Sequence, residues 1–466
     1  MAHSHAQSPP GEAGAAKASP LGRAILLSLL GIVAVATVVG LVLLWPDAAK
    51  VEAVRSQTHF VVPGATFEAG VVDSLADGCD RPDQPSQGQD GVVSPMRVCQ
   101  TATVTIRSGP KAGESIEVVL GGPNANAGIA TGDSVRLLSL PDGATTIDGA
   151  AGSGTREVFF GVDRSGPILV LLAVFVLLVL LVAWIRGLLA LVGLVFSGAM
   201  ILVFMLPAVV GGAPGVPVAL VTASAILFVV LYLAHGPSIR TSSALAGTLC
   251  GIAVTALIAQ LSVGTVRLSG MTDEAAGFLT GLSGGLDFRG VLTCAMIVAG
   301  LGVLNDVTIT QSSSVWELRA AGPGMSRRAL FWSAMRIGRD HIASTIYTIV
   351  FAYVGTSLAV LLLLYLYNLP VLELLTFEDL AAEIVTTLCS AIGLVLAVPI
   401  TTAIAVLLVP PAASAAAAGA HGVHGLHGSG DAAEPPVRRR TASIEPPERP
   451  APARPGEVWR PLDWEF

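Results

Sequence analysis

The sequence predicts a polytopic α-helical membrane protein that carries a small β-rich domain outside the bilayer. Three observations lead to this fold class: 53% of the 466 residues are hydrophobic, only 13% are charged, and the mean hydropathy is +0.72. A soluble protein carries about 25% charged residues, and a disordered chain would be polar and rich in charge. Both classes are therefore excluded. The net charge of −7, without a basic face, gives no signal for nucleic-acid binding.

Eight apolar runs are long enough to cross a bilayer, whose hydrocarbon core needs about 20 residues per helix. The second and third runs are separated only by Arg186 and Gly187, so they predict a tight helical hairpin. The first run is longer than the roughly 7–15 apolar residues of a cleaved signal peptide, which favours an uncleaved anchor. The runs are residues 24–44, 167–185, 188–206, 216–234, 241–261, 290–311, 342–367 and 384–409.

The basic residues of the short loops predict the threading, because cytoplasmic loops of membrane proteins are enriched in Lys and Arg. With a cytoplasmic N-terminus, the outer short loops hold only Arg267 and Arg289. We therefore expect a multi-pass protein of the cell (plasma) membrane with both termini in the cytoplasm. The inner short segments hold Lys17, Arg23, Arg186, Arg240, Arg319, Arg327, Arg328, Arg336 and Arg339.

This threading divides the chain into five parts. Both tails are expected to be disordered, since the C-terminal one is rich in Ala, Gly and Pro and then in mixed charge. The parts are an N-terminal cytoplasmic tail (1–23), a signal anchor (24–44), an extracytoplasmic domain (45–166), a seven-helix membrane domain (167–409) and a C-terminal cytoplasmic tail (410–466).

The extracytoplasmic segment has the alternating pattern of β-strands. Residues 102–107, 115–120, 132–138 and 156–160 alternate or are rich in Val, Ile and Phe, with Gly, Pro and Asp turns between them. Several short strands of this kind suggest a small barrel or sandwich, and a five-stranded OB-like domain fits. Cys79 and Cys99 lie in this segment, where an oxidising compartment would allow a disulfide between them.

Three tail histidines are the only candidate metal ligands that the sequence offers. His421, His424 and His427 recur at every third residue, and spaced imidazoles bind Zn, Cu or Ni weakly. No cysteine or fixed scaffold accompanies them, which favours a solubilising tail over a metal site, and no cofactor is expected.

One acidic residue stands apart from the other 32, which all fall outside the apolar runs. Asp306 lies within the sixth run, and a carboxylate inside a span is a functional-site hypothesis by default. Helical spacing places Gly302, Thr310, Ser313 and Glu317 on the same face, with Asn305 and Thr308 beside it. Such oxygen ligands suit a proton or a hard cation. The alternative is a hydrogen-bonded Asp306 that joins two helices, and both interpretations remain open. The run's limits place Asp306 in the cytoplasmic third of its helix.

The next two spans supply candidate partners for Asp306. A helix predicted to start at Arg336 would carry Arg339 as a counter-charge, and Asp340 would serve either the site or the helix as an N-cap. Thr345 belongs to a stripe of small polar residues that suits either a solute path or a packing seam. In the last span, Pro399 frees one backbone carbonyl, which predicts a hinge or a simple packing kink.

Two functions from different classes remain. The first is a transporter or permease for an ion or small solute, coupled to a proton or cation at Asp306. The second is a non-transporting envelope protein whose outer domain binds a partner. An enzyme is not expected, because HExxH and P-loop motifs are absent and an aspartyl dyad would need a second aspartate inside the spans. Assembly into a homo-oligomer is left open, and Gly247 with Gly251 predicts only a helix contact.

Several motifs resemble those of the YibE/F-like family of bacterial integral membrane proteins. The resemblance is close over residues 287–405 and looser before them. The resemblance implies one anchor, one outer domain and seven further helices, and it implies no established substrate. The polar positions that the family shares correspond here to Asp306, Gly338, Arg339, Asp340 and Thr345. Tyr347 departs from the pattern, where Asn is expected. The motifs are GLGVLNDVTITQ (300–311), SVWELR (314–319), IGRDHIAST (337–345), AYVG (352–355) and IGLVLAVPIT (392–401).

Overall fold

The computed structural model describes residues 19–57, 64–78, 99–121, 124–141, 156–271, 286–367 and 370–411. Within these ranges the chain is mostly helical, and five strands form one antiparallel sheet. Cys79 and the three tail histidines lie outside the described residues, as do nearly all of both predicted tails. The disulfide with Cys99 and the metal role of the histidines therefore stay predictions.

The helices follow the apolar runs, and each of the eight runs lies almost wholly within helical segments. A π-helical turn, Met200–Met205, joins the third helix to the fourth. The helices are α1 (Pro20–Leu43), α2 (Ala48–Gln57), α3 (Ser165–Ala199), α4 (Leu206–Val210), α5 (Gly215–His235), α6 (Ile239–Val266), α7 (Phe288–Ala321), α8 (Arg327–Thr356), α9 (Leu358–Leu366), α10 (Val371–Leu374) and α11 (Glu378–Leu408).

Six helical segments of the described chain are long and apolar enough to cross a membrane: α1, the continuous segment Ser165–Val210, α5, α6, α7 and α11. The pair α8 and α9 forms a seventh if it is one span, and the two helices are bent by 65° relative to each other. Helices of this length and composition indicate a membrane protein.

The segment Ser165–Val210 contains both runs of the predicted hairpin and is sharply bent between them. Trp184 has φ 50° and ψ −134°, an outlier for a bulky side chain. A Cβ atom on Gly187 would lie 2.6 Å from the carbonyl oxygen of Val179, whereas residues eight apart in a straight helix are separated by about 12 Å. The chain therefore turns back at Trp184, and the missing side chain of Gly187 makes room for the turn.

The residues after this bend cross the length of the bundle. Arg186 lines a cavity together with Arg23, in the first turn of α1. Phe204 instead packs against Trp45, just beyond the other end of α1, with ring centroids 5.9 Å apart. Since α1 has 24 residues and is therefore about 36 Å long, Arg186 and Phe204 lie at opposite ends of the bundle.

The sheet is a small half-barrel in the order β3-β2-β1-β4-β5. Its edge strands, β3 and β5, approach each other without forming a ladder, because the sheet is strongly curved. The alternating pattern predicted β2 to β5 and missed β1, in which Gly70 and the inward-facing Glu68 interrupt the apolar series. The strands are β1 (Thr66–Asp77), β2 (Cys99–Ile106), β3 (Ser115–Gly121), β4 (Ser134–Leu140) and β5 (Arg156–Val162).

Helices α6, α7 and α11 form the centre of the bundle, where small residues let the backbones approach closely. Gly251 faces Ala397 and Leu304, and an added Cβ would lie 3.0 Å from a side-chain carbon of each. Gly247 faces the side chain of Thr401 in the same way. The predicted helix contact at Gly247 and Gly251 is therefore confirmed, and it follows the small-residue packing of membrane helices.

The start of α8 differs from the prediction. The helix begins at Arg327 and not at Arg336, and Ser326 caps it by accepting a hydrogen bond from the backbone N–H of Ala329 at 3.2 Å. Asp340 consequently lies near the middle of α8, so the N-cap interpretation was wrong. The arginine-rich first turns concealed this helix, since a search for apolar runs does not detect them.

Candidate functional site

Asp306 lies near the middle of α7 and not in its last third. The sixth apolar run ends at residue 311, but α7 continues to Ala321, so Asp306 falls in the middle third of the helix while its depth in the membrane stays a prediction. Thr310 donates a hydrogen bond to the backbone carbonyl of Asp306 at 2.9 Å. In the part of the chain that the structure describes, the Asp306 carboxylate itself has neither an ion pair nor a hydrogen bond.

The face of α7 that carries Asp306 points away from the bundle. Asp306, Gly302 and Glu317 are exposed, while Thr310 and Ser313 are half-buried. A Cβ atom on Gly302 would meet nothing within 4 Å. The opposite face is fully buried and carries Leu304, Val307, Thr308, Gln311 and Ser312. The stripe predicted from helical spacing therefore exists, and it forms an outward-facing surface that we call the Asp306 face.

Asn305 is less exposed than Asp306 and has different surroundings. Its backbone carbonyl accepts a hydrogen bond from Thr308 Oγ1 at 3.1 Å. Its side-chain oxygen is buried and has no hydrogen-bond partner among the described residues. A buried amide oxygen without a partner is costly, so it is a position where a bound water or ligand would be stabilised.

The candidate residues of α8 form no hydrogen bond and no ion pair with Asp306 in the described structure. Arg339 is exposed, and its guanidinium carbon lies 5.9 Å from the centre of the Trp332 ring, within the range of a cation–π contact. Asp340 is exposed as well. Thr345 donates its hydroxyl to the carbonyl of His341 within the same helix, at 2.7 Å. The described residues contain no ion pair between α7 and α8.

Pro399 lies inside α11, and the helix continues through it to Leu408. The neighbouring hydroxyls turn back to their own helix: Thr401 donates to the carbonyl of Ala397 and Thr402 to that of Val398, both at 2.7 Å. The helix is therefore not broken at Pro399, and the packing kink there stays a prediction. A hinge at Pro399 remains a proposal.

Sequence reasoning missed Gln311, a polar residue that bonds to two neighbouring helices. Its amide nitrogen donates to the backbone carbonyl of Ala334 on α8 at 3.0 Å and to Thr402 Oγ1 on α11 at 2.7 Å. Gly338 faces the same amide, and a Cβ there would lie 3.0 Å from the Gln311 side-chain oxygen and 2.7 Å from Val398. A neutral amide gives no charge signal, but its place in the 300–311 motif could have identified it.

Two hydroxyl pairs continue this arrangement between α7 and α6. Thr308 and Thr248 lie 2.5 Å apart, and Ser312 and Ser243 lie 2.6 Å apart, oxygen to oxygen. All four side chains are fully buried. Together with Gln311 and Thr402 they form what we call the polar seam, which joins α7 to α6, α8 and α11.

Arg319 is buried at the end of α7 and shapes the turn to α8. It is 1% exposed, and its Nη1 donates to the carbonyls of Pro323 at 3.1 Å and Met325 at 2.8 Å. Its other two nitrogens lack partners among the described residues. The last residue of the 314–319 motif thus holds the α7–α8 connection in place.

A large cavity of about 1410 Å³ opens at the end of the bundle where α1 begins. Three residues of α7 line it: Ile309, Ser313 and Trp316. Ser313 belongs to the Asp306 face, two helical turns from Asp306. Glu317, at the end of the same face, pairs with Arg240 of α6 at 2.9 Å. The Asp306 face therefore reaches the cavity wall at Ser313, while Asp306 itself is not among the residues that line the cavity.

The half-barrel has a buried carboxylate of its own. Glu68 is 2% exposed, and burial raises its pKa, as does the nearby charge of Glu157, while Lys111 opposes the shift. Lys111 lies 2.8 Å from Glu157 across the gap between the β2–β3 turn and β5, and this contact raises the pKa of Lys111. Within the described residues, no group of three His, Cys, Asp or Glu side chains could hold a metal ion.

The comparisons with known proteins fit this geometry. A family model described as "YibE/F-like protein" matches residues 171–411, which run from within α3 to the end of α11 and contain both the Asp306 face and the polar seam. Neither the curated proteins nor the solved structures give a match. Because the matched segment is more than half of the 466 residues, the chain belongs to the YibE/F-like family.

Proposed function

We propose that this protein is a membrane transporter or permease for an ion or small solute and that Asp306 is its proton or cation site. One observation supports the proposal: a single face of α7 carries both Ser313, in the wall of a cavity of about 1410 Å³, and a carboxylate in the middle of the helix. Ser313 lies in the cavity wall, and Asp306 follows seven residues further into the helix, about 10 Å away along its axis.

The environment of Asp306 suits a group that changes its protonation. A charged side chain inside a membrane span is costly, and such residues typically mark ion pathways and proton relays. A purely structural Asp306 would be expected to bond to a neighbouring helix, as Gln311 does. Among the described residues it has no such bond, which favours a partner that binds and leaves.

The proposed placement in the membrane has eight spans with both termini in the cytoplasm, in the plasma membrane of a bacterial cell. The bend at Trp184 supports the hairpin that this count needs, since Arg186 and Phe204 lie at opposite ends of the bundle. The end that carries Arg23, Arg186 and Arg240 is then cytoplasmic, in agreement with the bias of basic residues.

Flux through reconstituted protein tests the proposal. The full chain is placed in liposomes that enclose a pH-sensitive dye, and a set of Na⁺, K⁺, Mg²⁺, Mn²⁺ and Zn²⁺ gradients is imposed in turn. Wild-type protein is expected to move protons or cations, and Asp306→Asn to reduce that flux about tenfold or more. Glu317→Gln is the matched control on the same helix face, expected to keep at least about half of the flux. Equal flux through wild-type and Asp306→Asn protein would remove Asp306 from the mechanism.

A specific observation on the sheet favours a second candidate, an envelope protein that binds a partner. Phe67 and Phe160 are 47% and 46% exposed and pack edge-to-face with centroids 4.9 Å apart. Exposed aromatic residues are common in protein interfaces. Deleting residues 48–162 separates the two functions: a transporter would keep flux dependent on Asp306, and a scaffold would lose its phenotype.

A further inference from the structure

The large cavity at the start of α1 is strongly basic. Its wall contains Arg23 of α1, Arg186 from the bend of α3, His235 at the end of α5 and Arg240 in the first turn of α6. Three helices and one bend thus each supply a basic side chain to the same space. Among the described residues that line it, none is acidic. Glu317 pairs with Arg240 from outside the wall, but that pair is largely exposed, with side chains 44% and 69% accessible, so it neutralises the cavity only weakly.

Two helix N-termini add to this positive charge. Pro20 and Arg23, in the first turn of α1, and Ser238 and Thr241, around the start of α6, all line the cavity. The N-terminus of a helix carries about half a positive charge and free backbone N–H groups. At α1 the backbone carbonyl of Ser19 accepts a hydrogen bond from the N–H of Arg23 at 2.9 Å, and the Ser19 side chain caps none of the N–H groups. At α6 the Ser238 side chain accepts the N–H of Thr241 at 3.1 Å. The first turn of α1 therefore offers N–H groups without a side-chain cap to an anion, in addition to the arginines.

The cavity also has an apolar side. Leu27 of α1 and Ala190 of α3 line it, and both helices pack against α5. Most residues of α1 and α3 are exposed, among them Leu27 and Leu188 at 42% and 44%, as expected for helices that face lipid. A ligand with a charged head and an apolar tail would therefore place its head among the arginines and its tail along α1 and α3.

We infer that this cavity binds the phosphate group of an anionic ligand. The geometry favours an anionic phospholipid as the molecule that carries this phosphate. The general enrichment of basic residues in cytoplasmic loops explains why several arginines lie at this end of the bundle. It does not require that these arginines line one cavity together with two helix N-termini. Arginine binds phosphate in a two-pronged geometry, and basic pockets between membrane helices on the cytoplasmic side recognise lipid head groups. The inference does not depend on transport.

The test uses the detergent-purified full chain and native mass spectrometry. The lipid probes are dioleoyl phosphatidylglycerol and dioleoyl phosphatidylcholine, and the free-anion probes are inorganic phosphate and pyrophosphate. The double variant Arg23→Gln, Arg186→Gln removes two charges from the cavity and leaves the Arg240–Glu317 pair intact. Arg328→Gln, Arg336→Gln is the matched control, because both arginines are exposed and neither lines the cavity.

Wild-type protein is expected to bind phosphatidylglycerol about tenfold more tightly than phosphatidylcholine. The cavity variant is expected to lose that preference, and the control variant to keep it within about twofold. A second outcome is that wild-type protein binds pyrophosphate or phosphate but not phosphatidylglycerol, and that the cavity variant loses this binding. The cavity is then a phosphate site whose ligand is a free anion. Three results would overturn the inference: no preference for any phosphate probe in wild-type protein, an unchanged preference in the cavity variant, or an equal loss in the control.

Discussion

The two faces of α7 carry similar side chains in opposite surroundings. On the inward face, Thr308 and Ser312 bond to hydroxyls of α6, and Gln311 bonds to α8 and α11. On the outward side, Thr310 and Ser314 bond only to carbonyls of their own helix, at 2.9 Å each. Residue type alone does not distinguish the faces; the neighbouring helices do. We conclude that the inward face holds the fold and propose that the outward face serves the function.

The largest expected difference between the faces comes from two glycines. A valine at Gly338 would collide with Val398 and the Gln311 amide, so Gly338→Val should destabilise the protein by about 3 kcal/mol or prevent folding. Gly302→Val fills open space on the outward face and should change stability by about 0.5 kcal/mol at most. Thermal unfolding of both purified variants measures this, and equal losses would contradict the assignment of the faces.

A smaller difference is expected from the polar residues themselves. Gln311→Leu removes two hydrogen bonds between helices, each worth about 0.6 kcal/mol in a membrane protein, and should lower the free energy of unfolding by about 1 kcal/mol. Thr310→Val removes only a bond within α7 and should be close to neutral. The unfolding temperatures of the two variants provide the comparison. A Thr310→Val variant less stable than Gln311→Leu would reverse our assignment.

The smallest expected effect is the coupling between two hydroxyls of the polar seam. A double-mutant cycle with Thr248→Val and Thr308→Val should give a coupling of about 0.6 kcal/mol, since the two hydroxyls bond to each other across α6 and α7. The same cycle with Thr248 and Thr310 should give a coupling near zero. Measurable coupling in the second cycle alone would mean that α7 is rotated relative to α6.

Much of the helical architecture could be predicted from the sequence, because span length and apolar composition are set by the bilayer and do not depend on neighbours. Strands β2 to β5 were predictable for a similar reason, since alternation is local. β1 was not, because Glu68 faces inward beside Gly70 and breaks the alternation. The start of α8 was missed because its first turns are arginine-rich and are anchored by the cap at Ser326.

The candidate site could be predicted only in part. Asp306 was identifiable because a single carboxylate in an apolar run stands out by charge. Its outward direction was not, since α7 has polar residues on both faces and only packing distinguishes them. Gln311 was missed as a core residue because an amide carries no charge and does not stand out in the sequence. Arg319 was missed because an arginine near the end of a span is assumed to be a loop residue. Their burial follows from contacts with Ala334, Thr402 and the turn at Pro323.

Asp306→Asn tests the central claim most directly, when flux and stability are measured on the same preparation. Our account predicts that flux of the coupled proton or cation falls about tenfold or more. It also predicts that the free energy of unfolding stays within about 0.5 kcal/mol of the wild-type value, because no described side chain bonds to the carboxylate. Unchanged flux, or a fall in stability comparable to that of Gln311→Leu, would contradict the claim and would make Asp306 a structural residue.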